Sequence, residues 1–404
     1  MKNSDDQISY LSGLAEKSHL GFHTFTEPVE LTVNEKERMI QIGRLSASIL
    51  RKTTVFVAET MASDKREDDW IRNIMLGSIP VEHRRLARDL MVAVGDNYPV
   101  RFFRADVMGD GRIAELQCPG SGWAYTQILE ERYGIPAANS SIVKAYRDFS
   151  NGQTLSWWLH DVNHIRSVRH LVKMCQKAGV LINLAETETE RDSKNVSVMI
   201  KRPPLPELIT TDSGRRLCAR WLADEVHLDL LPTMVPETKY LMALLYHPKT
   251  HHLYTDEERG ICPPTYFVDA WDTKIVNNNR VWIIEKAIER HRPLILKYGG
   301  AIRHLRGGCH AVYNLGIRNM KHAERRKFVD IAIADYQRGE AWIVQDFVNQ
   351  KRVVPEKPHP QYVLLRPHFF IENTGAIRLV NNTITCRDDW KVHARSDAWL
   401  GLCY

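Results

Sequence analysis

Polar side chains alternate along two neighbouring strand-like stretches, and their types are those that handle phosphate and divalent metal. In Tyr98-Pro-Val-Arg-Phe-Phe-Arg-Ala-Asp-Val-Met, Arg104 and Asp106 lie two apart and share a face. Past the turn Gly109-Asp-Gly-Arg, Glu115 and Gln117 repeat that spacing in Arg112-Ile-Ala-Glu-Leu-Gln-Cys. Two carboxylates and an amide oxygen are hard ligands of the kind that hold Mg2+ beside nucleotide phosphates. Arg104 is suited to a transferring phosphoryl group or a substrate carboxylate. A half-buried strand with a solvated polar face carries the same alternation, so the pattern alone leaves both readings open.

A second group of candidates lies near the C-terminal end. Lys297 closes the apolar run Leu294-Ile-Leu and is followed by Tyr298-Gly-Gly and, after a basic stretch, by Arg306-Gly307-Gly308. A strand lysine beside a Gly-rich loop can set one cation on phosphates while backbone N–H groups cover them; an ordinary glycine turn explains the same residues. Neither a G-x-x-x-x-G-K-[ST] loop nor a G-x-G-x-x-G fingerprint occurs. Gln345 and Asp346, in Val344-Gln-Asp-Phe-Val, can present an amide or carboxylate to an adenine and ribose edge, or lie on a surface strand. Arg378, with Asn381 and Asn382, lies on and just after an alternating strand and can add a cation near a phosphoryl centre.

The elements that must position these residues divide the chain into four segments. Residues 1–97 read as mainly helical, with apolar positions at three and four spacing in Met39-Ile40-Ile42-Leu45-Ile49-Leu50. Residues 98–125 form the hairpin. Residues 126–261 alternate helical stretches with short apolar runs such as Val180-Leu-Ile-Asn-Leu and Val196-Ser-Val-Met-Ile, the pattern of a small α/β domain. Residues 262–404 hold strands at 294–297, 341–348, 362–371 and 375–381, helices at 279–291 and 321–337, and a polar C-terminal segment. The fold class expected is α/β (α+β).

Taken in order, these pieces resemble the ATP-grasp superfamily, and in particular its circularly permuted branch with glutathionylspermidine synthetase and eukaryotic glutathione synthetase. In that branch an R-x-D strand and an E-x-N strand precede the phosphate-binding lysine, as Arg104-Ala-Asp106 and Glu115-Leu-Gln117 precede Lys297 here. Gln117 departs from the family's Asn, keeping the amide oxygen on a longer arm. Pro119-Gly120 resembles the Pro-Gly that follows the E-x-N strand, and Pro263-Pro264-Thr-Tyr is similar to the P-x-T opening of ATP-grasp nucleotide domains.

The resemblance implies an ATP-grasp-like nucleotide domain at 262–404, a smaller substrate domain at 126–261 and a metal hairpin packed on the nucleotide domain. It implies metal ligands Asp106, Glu115 and Gln117; ATP contacts from Lys297, Arg306, Gly307, Gly308, Gln345 and Asp346; and charge stabilisation by Arg104 and Arg378. The implied activity is ATP-dependent carboxylate–amine ligation through an acyl-phosphate, with ATP and Mg2+ as cofactors and a small amino-acid or peptide-like acid and an amine as partners. A small-molecule kinase on the same nucleotide site and a non-catalytic nucleotide-binding or assembly protein are the competing readings.

Bulk properties narrow the classes. A 404-residue chain that is 44% hydrophobic can bury two or three ordinary cores, which excludes intrinsic disorder. A net charge of +6 favours anionic partners without choosing among them, and no nucleic-acid-binding module is visible. Seven scattered cysteines without a C-x-x-C pair argue against a disulfide framework or a thiolate zinc site and fit a reducing cytoplasm. Cys118 reads as a packing residue, and the adjacent His251 and His252 as a surface loop. No signal peptide or membrane span is expected, and self-assembly is left open.

Overall fold

The computed structural model describes residues 23–118, 122–159, 165–193, 196–268, 294–301, 312–315, 321–348, 351–354, 357–392 and 397–404. Three sheets organise these residues, and the fold is mixed α/β as the sequence predicts. Arg306, Gly307, Gly308, the expected helix at 279–291 and Pro119 to Ser121 lie outside the described residues.

The N-terminal helices are α1 (Val33–Ala62), α2 (Asp69–Leu76) and α3 (Arg84–Val94). A capping box starts α1: Thr32 Oγ1 accepts from the Glu35 N–H at 3.2 Å while Glu35 accepts from the Thr32 N–H at 2.9 Å. Its buried stripe of Met39, Ile42, Ile49, Leu50, Val57 and Met61 keeps helical spacing and faces the first sheet.

That first sheet joins the two ends of the chain. Its order is β1 (His23–Thr24), β15 (Trp399–Leu402), β14 (Ile377–Arg387), β13 (Gln361–Ile371), β2 (Phe102–Met108) and β3 (Ile113–Gln117), with β12 (Lys351–Arg352) also on β13. One face is apolar where Phe103 and Phe369 stack at 4.9 Å beneath α1. The other is polar at its centre, because Arg104 of β2 lies opposite Gln117 of β3 and His368 of β13, and Asp106 lies opposite Glu115. The segment after 381, expected as a polar C-terminal segment, carries the rest of β14 and the buried strand β15, paired with β14 and β1.

The middle of the chain forms a parallel sheet in the order β5 (Ile182–Ala185), β4 (Leu155–Trp158), β6 (Val198–Ile200) and β7 (His227–Leu228). Helices α4 (Trp123–Arg132), α5 (Ser141–Ser150) and α6 (Ile165–Lys177) share its core, which reaches the first sheet through Phe102 and Phe370. Helix α7 (Asp212–Leu222) precedes β7. The third sheet is antiparallel, in the order β10 (Val312–Asn314), β9 (Leu294–Tyr298), β11 (Trp342–Asp346) and β8 (Thr265–Phe267), and packs with α9 (His322–Gln337). The segment 262–404 therefore contributes to two sheets, with β13 to β15 sharing a sheet with the early ribbon. The short helix α8 (Tyr240–Leu244) sits against β8 and β9. Among the described residues no helix is long and apolar enough to cross a membrane.

Close approach of α1 to the sheet depends on Gly43, where an added Cβ would lie 2.4 Å from the Phe369 ring. Gly43→Ala is expected to cost about 1–3 kcal/mol through overpacking. Urea denaturation measures this, and an unchanged midpoint would contradict the packing.

Candidate functional site

A tight ribbon presents the polar face. At its turn Gly111 takes φ +80°, and Asp110 accepts from the Arg112 N–H at 3.0 Å. Strand alternation then sets Arg104, Asp106, Glu115 and Gln117 on one face, with the two carboxylate residues as direct cross-strand partners. Arg104 and Asp106 are both 6% exposed, and the guanidinium grips the carboxylate through Nε at 2.8 Å and Nη2 at 3.2 Å. Arg366, from β13, adds Nε at 3.5 Å from the same Asp106 oxygen and is itself anchored on Thr385 Oγ1 at 2.5 Å and the Val392 carbonyl at 3.0 Å. Gly122 caps α4 at φ +84°, and a Cβ there would come within 3.1 Å of Arg104 Nη1. The absent side chain lets the helix start against the guanidinium.

The third sheet meets this ribbon through one lysine. On its face, Lys297 and Gln345 are diagonal neighbours and Thr265 lies opposite Gln345. Lys297 Nζ donates to Gln345 Oε1 at 2.6 Å, Gln345 Nε2 donates to Thr265 Oγ1 at 3.1 Å, and Thr265 donates to the Pro263 carbonyl at 2.8 Å. The same ammonium donates to the Ala114 carbonyl on β3 at 3.0 Å. Lys297 is thereby held at the ribbon's outer edge, one residue from Glu115, with 7% of its surface exposed. Glu115 has a cation of its own, since Lys239, just ahead of α8, places Nζ 3.3 Å from Oε1. The Lys239 N–H donates to the Gly299 carbonyl at 2.8 Å, which couples that lysine to the chain leaving β9.

Of the residues singled out in the sequence, Arg104, Asp106, Glu115, Gln117, Lys297 and Gln345 converge. Asp346 ends β11 beside Gln345, on the alternate face. Arg378 does not join them: it starts β14, donates to Asp148 at 2.6 Å, lies 3.6 Å from Glu372 and covers the Phe370 ring. The late-strand cation beside Asp106 is Arg366, two rows along the same sheet. Asn381 is likewise committed, donating to buried Glu130 at 2.5 Å. The sequence signal for Arg366 was its alternation with His368 in a largely apolar strand, and for Lys239 its position just ahead of the apolar run Tyr240-Leu-Met-Ala-Leu-Leu. Cys118 is buried, and His251 and His252 lie exposed in a short turn, as expected. Among the described residues no three His, Cys, Asp or Glu side chains are grouped to hold a metal.

A separate groove of about 510 Å³ flanks α1 near Arg51, Lys52, Phe56 and Tyr98. Lys52 and Arg51 there are engaged by Glu258 and Asp96 at 2.8 and 3.3 Å, and Arg44 also lines it.

One further buried cluster borders the site. Lys201 follows β6 at φ +59°, and its N–H donates to Asp229 Oδ1 at 3.0 Å. Asp229 is fully buried, and its Oδ2 has no hydrogen-bond partner. Burial raises the Asp229 carboxyl from 3.8 to about 6, against the pull of Lys201. Arg202 pairs with Glu237 at 2.8 Å, both out of solvent, and so pins the following loop.

The sequence matches no protein-family model and no curated protein.

Because Asp229 holds its proton to higher pH folded than unfolded, its contribution to stability falls as pH rises from about 4 to about 6. Asp229→Asn keeps an acceptor for the Lys201 N–H and is expected to remove this fall. Denaturation of both proteins across that window checks it; parallel pH profiles would contradict the assignment.

Proposed function

We propose that the chain is an ATP-dependent carboxylate–amine ligase that forms an amide through an acyl-phosphate, with ATP and Mg2+ at the site built by β2, β3 and β9. The observation that carries this reading is the Lys297 ammonium bound to the ribbon backbone beside Glu115, which joins the two distant sequence stretches in one place. Their order and residue types resemble those of the permuted ATP-grasp branch.

Charge supports a polyanion. Arg104, Arg366, Lys239 and Lys297 meet the two carboxylates Asp106 and Glu115, leaving two positive charges in excess. A bare divalent ion would have to displace those cations, whereas a triphosphate arriving with its metal gives Lys239 and Lys297 new partners and releases Glu115. Asp106, Glu115 and Gln117 supply hard oxygen ligands for Mg2+, which when bound would neutralise phosphate charge.

In this reading Lys297, held by Gln345, binds the phosphates and Lys239 orients them. The substrate carboxylate attacks the γ-phosphoryl group, releasing ADP. The amine nitrogen then attacks the acyl carbon and expels phosphate, so an amide, ADP and phosphate result. Arg104, held by the Asp106 carboxylate, stabilises the negative charge that develops next to it.

Lys297→Met and Glu115→Gln are expected to stay folded by circular dichroism and to lose the stabilisation that Mg–AMP-PNP confers on the parent protein. At a ligand concentration a hundredfold over Kd that stabilisation is about 2.7 kcal/mol. Full retention of the thermal shift in both variants would remove the site from consideration. ADP release from ATP across paired acid and amine pools then tests the chemistry, and ADP formed with acid or amine alone would contradict ligation.

A further inference from the structure

Helix α6 differs from the other helices in its charge. Among the described helices longer than two turns it alone has no Asp or Glu, while Arg166, Arg169, Lys173 and Lys177 recur along it at steps of three and four residues. Those steps set the four cations in a line of about 16 Å on one face, at ~1.5 Å per residue. All four are exposed. The opposite face, with Val168, Leu171, Val172 and Cys175, is buried in the core of the parallel sheet. At the far end of the line α5 adds to it: Arg147 donates to the Ala178 carbonyl at 2.6 Å, and Lys144 stands exposed one turn earlier.

Most of this charge is not spent within the molecule. Glu186 engages Arg169 at 3.0 Å, but Arg166, Lys173, Lys177 and Lys144 pair with no carboxylate among the described residues. Like charges held one turn apart repel, and an anion that spans them relieves the repulsion. The net charge of +6 adds attraction at longer range.

The outline of the charge selects the anion. On one flank Glu131 meets His170 at 2.8 Å; on the other Glu186 meets Arg169, and Glu188 and Glu190 follow it, exposed. The positive field is therefore a narrow line bordered by carboxylates. A flat anionic bilayer would press on those carboxylates too, and α6 has no apolar face to insert, since that face lies in the core. A linear chain of phosphates follows the line and misses its borders. At about 3.4 Å per phosphate along a strand, a line of about 16 Å takes about five of them.

We propose that the exposed face of α6, with Lys144 and Arg147 of α5, docks the phosphate backbone of a nucleic-acid strand without reading its bases. Contacts to phosphate fix position and carry no sequence information. The inference is independent of the ligase reading.

The test is fluorescence anisotropy of labelled oligouridylate and oligothymidylate with the full chain, between about 50 and 200 mM NaCl. Both are expected to bind alike, with log K falling against log salt at a slope of about −2 to −3, as three or four neutralised phosphates require. Lys173→Glu combined with Lys177→Glu is expected to weaken binding about tenfold or more and to flatten the slope. Lys36→Glu combined with Lys327→Glu changes the net charge equally on exposed lysines away from α6 and should leave most of the affinity; circular dichroism checks that all variants fold. No binding at the lowest salt, binding of only one of the two oligonucleotides, or equal losses in the two double variants would overturn the proposal. So would equally tight binding of polyglutamate, or tighter, Lys173-dependent binding to phosphatidylserine vesicles.

Discussion

A carboxylate taken out of water must be neutralised where it stands, and Asp106 is the group on which this structure turns. Its bidentate partner Arg104 comes from its own strand and its second cation, Arg366, from a strand near the opposite end of the chain. Satisfying that one side chain therefore goes with pairing β2 to β13, which leaves β3 as the edge strand. An edge strand has unpaired backbone groups, and Lys297 from another sheet takes one of them at Ala114. The early ribbon and the late lysine are thus joined by the electrostatic and hydrogen-bonding needs of a few atoms.

Stability alone does not account for such a cluster. Removing one partner of a buried ion pair costs about 3–5 kcal/mol, yet replacing the whole set by apolar side chains of similar volume is often neutral or favourable. The apolar face of the same sheet, with Phe103 stacked on Phe369, shows that the strands can pack in that way. What the charged face provides is a rigid set of cations in excess over carboxylates, already desolvated and held by neighbours such as Gln345 and Thr385.

Much of this was legible in the sequence because the period of two is strict. Alternation placed Arg104 and Asp106 on one face and Glu115 and Gln117 on another strand's face, and the hairpin turn then made the two faces one. The apolar run ending in Lys297 and the helix before β11 are local patterns too. Pairings between distant strands have no local signature. Nothing near Arg378 in the sequence announces that Asp148 will claim it, and nothing near Trp399 says that this segment lies buried between β14 and β1. Arg366 was overlooked for a related reason: one arginine in an apolar strand gains meaning only when Asp106 is seen two residues from its cross-strand neighbourhood with His368 and Arg104. Lys201 shows the same limit, since its strained backbone depends on Asp229, supplied from beyond the next strand.

The central claim is that the carboxylates of the ribbon accept a divalent ion only together with the phosphates that draw their cations away. Titration of Mn2+ into the protein, followed by electron paramagnetic resonance with and without AMP-PNP, reads this directly. The account predicts weak, unsaturated binding of Mn2+ alone and one tightly held ion per chain once the nucleotide analogue is present. Stoichiometric Mn2+ binding without nucleotide, or no gain on adding it, would contradict it.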